Sequence, residues 1–445
     1  MALQTGHLIT ELIEKLNGHP EVSQWSVVQE EKREWQHYLI QKRPEATREV
    51  TQEFYKVTLY HTHPHPSGEG SAIGFSTITL TDSDLPNLDE KIQEGLLSAA
   101  ITNNEPWTLP APAPYPDVPL VDDITLENPF GALEQFTAEL FQAVDGEEGV
   151  RLSAAEMFFE EKTSRFYNKE GIEAEQRETS FLLEVVLLAK NGDSDEMEHW
   201  FVEKRRRIHD LNIAELIAVN AQYARDSIVG ELPKTWKGPV VIDASQFEEM
   251  FSPLLFRCGA SAKYTKLSNV STGESFFGES AVEGEPFHAS FSSVLPYGVK
   301  SYRISPEGLP GTEVAVVENN EFRSYLATKR YADYLGVEAT GEAGNLVLQP
   351  GSTPLAQLLQ GPVYHIVAFS AMMPNSFTGD FAVEIKLAYY IDEQGNRTPV
   401  KGGSVSGNLY HMLTNAKYAK ETTFLGGYQG PTAIRFEDRL TIAGS

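Results

Sequence analysis

Beyond residue 238 the chain is a succession of short alternating segments, parted by turns that carry glycine or proline. No other feature constrains the fold as much. Strands are expected at residues 239–242, 313–318, 322–326, 344–349, 363–369, 381–391 and 398–406, because strand side chains alternate between faces and such turns reverse the chain. Two helices interrupt them, at 245–256 and 355–359. Strands joined in this way predict a β-rich, largely antiparallel domain, barrel-like or sandwich-like.

The first half reads as mixed helix and strand. Leu8, Ile9, Leu12, Ile13 and Leu16 recur at helical spacing, with Gly18 as a stop. Residues 35–80 read as strands, notably 54–60 and 73–80, separated by the Pro- and Gly-bearing stretch 61–70. A helix is expected at 89–101, and another at 128–143 with Leu133, Phe136, Leu140 and Phe141 on one side. Between them, residues 107–121 hold five prolines, which suits an ordered surface crossing anchored by Trp107 and Tyr115, or a flexible linker. Two strands follow, 151–162 and 178–190, around a turn at 168–171. Residues 195–227 are expected to be helical with a break near Asn212, the basic run Lys204-Arg205-Arg206-Arg207 forming a solvated face. The boundary is placed at 230–238, giving an N-terminal α+β domain (1–232) with a mainly antiparallel sheet and a β-rich C-terminal domain (238–445).

A chain of 445 residues with 41% hydrophobic side chains can build two or three cores. Its net charge of -27 argues against nucleic acid as a partner, since an acidic surface repels phosphates. The one cysteine, Cys258, precludes an intrachain disulfide and fits a reducing, cytoplasmic setting. No apolar run is long enough to span a membrane, and residues 1–7 lack the basic and apolar regions of a secretory signal.

The segment from Gly379-Asp380-Phe381 through Lys401-Gly402-Gly403 to Gly407-Asn408-Leu409 resembles the C-terminal signature of the modulator-of-DNA-gyrase family, the paired TldD and TldE (PmbA) proteins. Further blocks are similar in order and spacing: Gly74-Phe75-Ser76-Thr77, Tyr167-Asn168-Lys169-Glu170-Gly171, Gly238-Pro239-Val240-Val241-Ile242, Glu307-Gly308-Leu309-Pro310 and Asn345-Leu346-Val347-Leu348-Gln349-Pro350-Gly351. The catalytic members of such a family carry a His-Glu-x-x-x-His zinc site on the helix after the 240–242 strand. Here that helix has Glu248 and Glu249 but no histidine, and residues 427–430 hold no cysteine. The resemblance therefore implies the TldE-like branch: no catalytic residue, no metal ligand and no cofactor in this chain, with zinc in a TldD-like partner subunit. It implies peptide as substrate, with a homodimer as the alternative assembly.

Other constellations are weaker. His61-Thr62-His63-Pro64-His65 is the one cluster with metal-ligand character, and a stand-alone hydrolase built on it is the second reading. JAMM-type isopeptidases share the His-x-His-Pro pattern but need an aspartate where this chain has Gly74, so that pattern fails, and a strand end running into a polar, Pro-stiffened turn accounts for the histidines better. A self-assembling binding protein is the third reading. Cys258 reads as a small buried hydrophobe. His288, Gly379, Asp380, Gly402, Gly407 and Asn408 are the candidate groove or turn positions, with Asn408 suited to cap the helix after it. No nucleophile elbow, P-loop or dinucleotide fingerprint occurs.

Overall fold

The computed structural model describes residues 5–190, 192 and 196–444. After a helix at Thr5–Gly18, six strands build one sheet: β1 (Gln24–Ile40), β2 (Arg43–Pro64), β3 (Ser71–Leu80), β4 (Val150–Asn168), β5 (Glu173–Ala189) and β6 (Met197–Arg205). They run antiparallel in the order β3-β2-β1-β4-β5-β6 and curl into a half-barrel. Alternation then gives the sheet two unlike faces. On β1, Trp25, Val27, Trp35 and Leu39 are buried, and all belong to the face that the helices cover. Helices Thr5–Gly18 and Leu88–Ala99 seal one end with Leu12, Leu16, Ile92 and Leu96. Helices Pro129–Asp145 and Ile213–Val229 seal the other with Leu133, Phe136, Leu140 and Ile217. The alternate residues of β1, β4 and β5 line a second face that those helices leave open.

The remaining strands are β7 (Val240–Asp243), β8 (Ala289–Ser292), β9 (Glu313–Glu318), β10 (Glu321–Phe322), β11 (Asn345–Leu348), β12 (Val363–Phe369), β13 (Asp380–Ile391), β14 (Arg397–Val400), β15 (Ser404–Asn408), β16 (Ala416–Tyr418), β17 (Thr422–Leu425), β18 (Tyr428–Pro431), β19 (Ala433–Phe436) and β20 (Thr441–Ala443). One sheet runs β10-β9-β8-β11-β18-β17. The other runs β16-β19-β7-β12-β13-β15-β20, with β14 beside β13. Pairing is antiparallel except at β7–β12 and β11–β18. A single core lies between the two sheets, with Ile242, Ile366 and Phe436 from one facing Phe291, Val316 and Leu348 from the other. The expected α+β class with mainly antiparallel sheets is what the structure shows.

Several local expectations are corrected. Residues 197–205 form an edge strand against β5, and the helix is confined to Ile213–Val229, with Asn212 capping it through Glu215 N–H; Asp195 lies outside the described residues. The strand won because His199 and its alternate neighbours pair along β5, a long-range gain that helical periodicity cannot report. The basic run is accordingly no solvated helix face, since Arg206 is only 3% exposed. Strand β1 begins at Gln24, well before the expected start. The expected strand 398–406 is divided at Gly402 and Gly403, both with positive φ, into β14 and β15. The expected helix 245–256 is three short turns, Ala244–Gln246, Phe247–Met250 and Pro253–Arg257. Residues 107–121 are irregular, with Trp107 packed on Tyr60 and Phe75, and the Tyr115 hydroxyl donating to Gly308 O.

The half-barrel is joined to the rest through polar contacts. Arg206, just past β6, donates from Nε to Gly298 O (2.8 Å), from Nη1 to Glu178 Oε2 and Thr179 O (3.1 Å each), and from Nη2 to Val299 O (3.2 Å) and Ser301 O (2.6 Å). Gln176 Oε1 accepts from the amides of Arg303 and Ile304. Arg206→Ala removes the cation and takes its donors from three loop carbonyls and Thr179 O, while Glu178 keeps Lys162, so a loss of about 3 kcal/mol is expected in urea unfolding. Arg207→Ala, which removes only a half-exposed pair with Asp210 and a stack on Tyr297, is expected to cost under about 1 kcal/mol.

His199, buried on β6 with Nε2 against Asn220 Oδ1 (2.9 Å), has its pKa pushed down to about 4 by burial. Its folded value lies below the usual histidine value of 6.5, so the unfolded chain binds the proton more tightly between the two. Stability is therefore intact above pH 6.5 and falls as the pH drops toward 4, by about 3 kcal/mol in total. His199→Gln is expected to flatten the unfolding midpoint over that window.

Candidate functional site

The turn sequence after β7 is amphipathic over a few residues. Phe247, Met250, Phe251 and Leu254 enter the core, which turns the intervening Glu248 outward. Its carboxylate is held on both sides: Oε1 lies 2.7 Å from Lys300 Nζ, and Oε2 accepts the Gly427 amide at 2.9 Å. Both partners are built locally. Lys300 sits in the loop whose carbonyls at 298, 299 and 301 Arg206 holds, and its own amide donates to Asn345 Oδ1 (3.0 Å). At Gly427 an added Cβ would lie 2.9 Å from Glu248 Oε1 and from Lys300 Cε, so a larger residue would push the ends of both side chains aside.

Glu248 and Lys300 border a cavity of about 660 Å³, whose other wall is the open face of the half-barrel. Glu34, Glu156, Glu160 and Glu184 line it, with Phe158 and Leu182, and Lys204 and Arg205 from β6. The register puts Glu34 directly opposite Glu160, and Glu156 directly opposite Glu184. Like charges facing one another across strands are destabilising. Lys32 contacts Glu160 at 3.5 Å and offsets part of that repulsion. The result is an acidic trough with apolar patches, on a face that no helix covers.

The residues singled out from the sequence fall in different places. Gly379, Asp380, Gly407 and Asn408 come together where β13 meets β15. Asn408 Oδ1 accepts the Tyr410 and His411 amides, and its Nδ2 donates to Asp380 Oδ1 and Thr378 O, 2.8 Å each. The Thr378 hydroxyl and the Asn408 amide hold the Asp380 carboxyl below the usual range. This knot ties a helix start to two strands. Gly402 lies apart from it, its amide donating to Ile385 O, and His288 Nδ1 accepts the Asn319 amide at 3.3 Å. His61 and His63 stack at 5.6 Å, but each turns to backbone: His61 Nδ1 to Glu21 O, and His63 to Pro64 O and Thr102 O. His65 contacts the Ser67 hydroxyl.

Among the described residues no three His, Cys, Asp or Glu side chains are grouped to hold a metal ion. At the Glu248 helix the donor set does not fit zinc: there is no imidazole or thiolate, and both oxygens of the carboxylate are engaged by Lys300 and Gly427. The acidic trough escaped the sequence reading, although Glu34, Glu156, Glu160 and Glu184 all fall on the alternate positions of their strands. Lys300 carried no local signal.

Cys258 is fully buried, and burial pushes its thiol up to about 12. The native protein is expected to resist iodoacetamide at neutral pH and to alkylate stoichiometrically once unfolded; fast labelling of the native chain would contradict the burial.

Residues 235–444 match the family model of the PmbA/TldA metallopeptidase C-terminal domain. An uncharacterised protein of Methanocaldococcus jannaschii is 24% identical over 283 residues, 61% of this chain and 65% of the relative. A zinc metalloprotease TldD homolog of Saccharolobus solfataricus is 24% identical over 275 residues, 56% of this chain and 60% of the relative. Each match thus spans less than two thirds of the relative's length. The crystal structure of TldE from Thermococcus kodakarensis shares the fold, with a TM-score of 0.81 at 16% identity over 98% of this chain and 100% of that one. On these matches, residues 235–444 form a domain of the PmbA/TldA metallopeptidase C-terminal family, and the whole chain shares the fold of TldE.

Proposed function

We propose that this chain is a non-catalytic, peptide-holding subunit of a cytosolic metallopeptidase of this family, acting beside a zinc-bearing homologue. The observation that carries the reading is the Glu248 clamp. At the helix where a catalytic relative would place its metal, this chain has a carboxylate already neutralised by Lys300 and bound by the Gly427 amide. Facing that clamp is the acidic trough, large enough for several residues of an extended chain and supplied with backbone-facing carboxylates and apolar patches. Such a surface holds an unfolded, preferably basic peptide through charge and strand-like contact, with little demand on its sequence. The membrane plays no part in this reading, and none of the described helices is long and apolar enough to cross one. A hydrolase built on His61, His63 and His65 draws no support from their geometry, since His61 and His63 turn to backbone carbonyls.

Two measurements test the reading. The chain alone is expected to leave an unstructured lysine-rich peptide uncleaved, and hydrolysis is expected on adding the zinc-bearing homologue. The double variant Glu160→Lys/Glu184→Lys is expected to weaken peptide binding at least about tenfold, equivalent to about 1.4 kcal/mol. Chelator-sensitive cleavage by the chain alone would overturn the proposal.

A further inference from the structure

At the far end of the same open face, away from Glu248, a second cavity of about 300 Å³ lies between the half-barrel, the loop at 306–307 and the start of the helix Lys329–Leu335. Its carboxylate comes from the Glu307-Gly308-Leu309-Pro310 turn, to which the acidic trough gives no role. Gly308 has φ +91°, and an added Cβ would lie 2.5 Å from Phe166 Cε1, so glycine lets the turn press onto β4 and carry Glu307 into the cavity. Three aromatic rings form a wall: Tyr60, Phe75 and Trp107, with centroids 5.7–6.1 Å apart.

Glu307 accepts one hydrogen bond, from the Lys329 amide at 3.1 Å, and no ion pair neutralises it among the described residues. The nearby cations are engaged elsewhere. Lys329 Nζ pairs with Asp333, and Arg330 donates to Asn104 Oδ1 while lying 5.1 Å over the Trp107 ring. The charge of another carboxylate, Glu342, also acts on Glu307. Burial raises the pKa of Glu307, and burial with the Glu307 charge pushes the Tyr60 hydroxyl up to about 12.

A half-buried, unneutralised carboxylate is costly unless a cation completes it. An anion would be repelled, and an apolar ligand would desolvate Glu307 without compensation. Aromatic faces add attraction for a cation, as Arg330, which borders the same cavity, already shows by lying over Trp107 and Phe75. We propose that this pocket is a binding subsite for a primary ammonium group, with Glu307 as its counter-ion and Tyr60, Phe75 and Trp107 as its walls. The group belongs either to a peptide N-terminus or to a lysine side chain. The proposal does not depend on a zinc-bearing partner, because the whole pocket lies within one chain.

Calorimetric titration of the intact chain with glycyl-glycinamide, which has only an α-amine, and with Nα-acetyl-lysinamide, which has only a side-chain amine, tests it and separates the two sources. Nα-acetyl-glycinamide is the uncharged control. Saturable binding of at least one amine is expected, with none for the control. Glu307→Gln is expected to weaken that binding at least about tenfold, while its unfolding midpoint at pH 8 stays level or rises, because the raised pKa marks a charge that the folded state disfavours. Trp107→Leu is expected to weaken binding as well, which keeps the test decisive if the first variant folds poorly. Absence of saturable binding by both amines, or undiminished binding in both variants, would overturn the proposal.

Discussion

Arg206 is buried at the junction of the half-barrel and the two-sheet core, and each of its five N–H donors meets an acceptor. Three of those acceptors are consecutive or near-consecutive carbonyls of the 298–301 loop, so one side chain fixes that loop against β5. Lys300 sits in the middle of it and reaches Glu248, and Asn345 fixes the Lys300 amide from the opposite side. The carboxylate clamp, the position of the acidic trough's far wall and the docking of the two halves thus share one origin. A buried cation of this kind adds little net stability when satisfied, but its loss exposes several unmet acceptors at once. It specifies a geometry more than it strengthens one.

The open face of the half-barrel has the opposite character. Its helix-covered face is apolar and closely packed, as folding requires. The uncovered face opposes glutamates across neighbouring strands, which folding alone would not favour. Local unfavourable charge of this type accumulates where a surface is kept for a ligand. Both cavities lie on this face, one rich in carboxylates and the other built around a single carboxylate and aromatic rings.

Much of the architecture was legible in the sequence, for physical reasons that also explain the failures. The helix over Leu133, Phe136 and Leu140 was readable because its apolar stripe has the helical period and Asn128 caps it. The turn at Asn168–Gly171 was readable from its residue types, and Gly171 does take a positive φ. Strand β6 was misread because a short edge strand flanked by polar residues has its period overridden by pairing with β5. The division between β14 and β15 was missed because only the backbone shows that Gly402 and Gly403 are both left-handed. Within the site, Glu248 was visible on its helix, whereas Lys300 and the trough glutamates meet it only through the fold. Glu307 was noticed as part of a turn motif, and its lack of a counter-ion is a property of its surroundings.

The central claim is that Glu248, Lys300 and Gly427 stand where a catalytic relative would place a metal. The zinc content of the untagged chain, purified natively without chelator and measured by mass spectrometry, tests it most directly. The account predicts zinc well below one atom per chain, with no gain after incubation with zinc and desalting. One tightly held zinc per chain, lost on Glu248→Gln, would contradict it and make this chain a metalloenzyme in its own right.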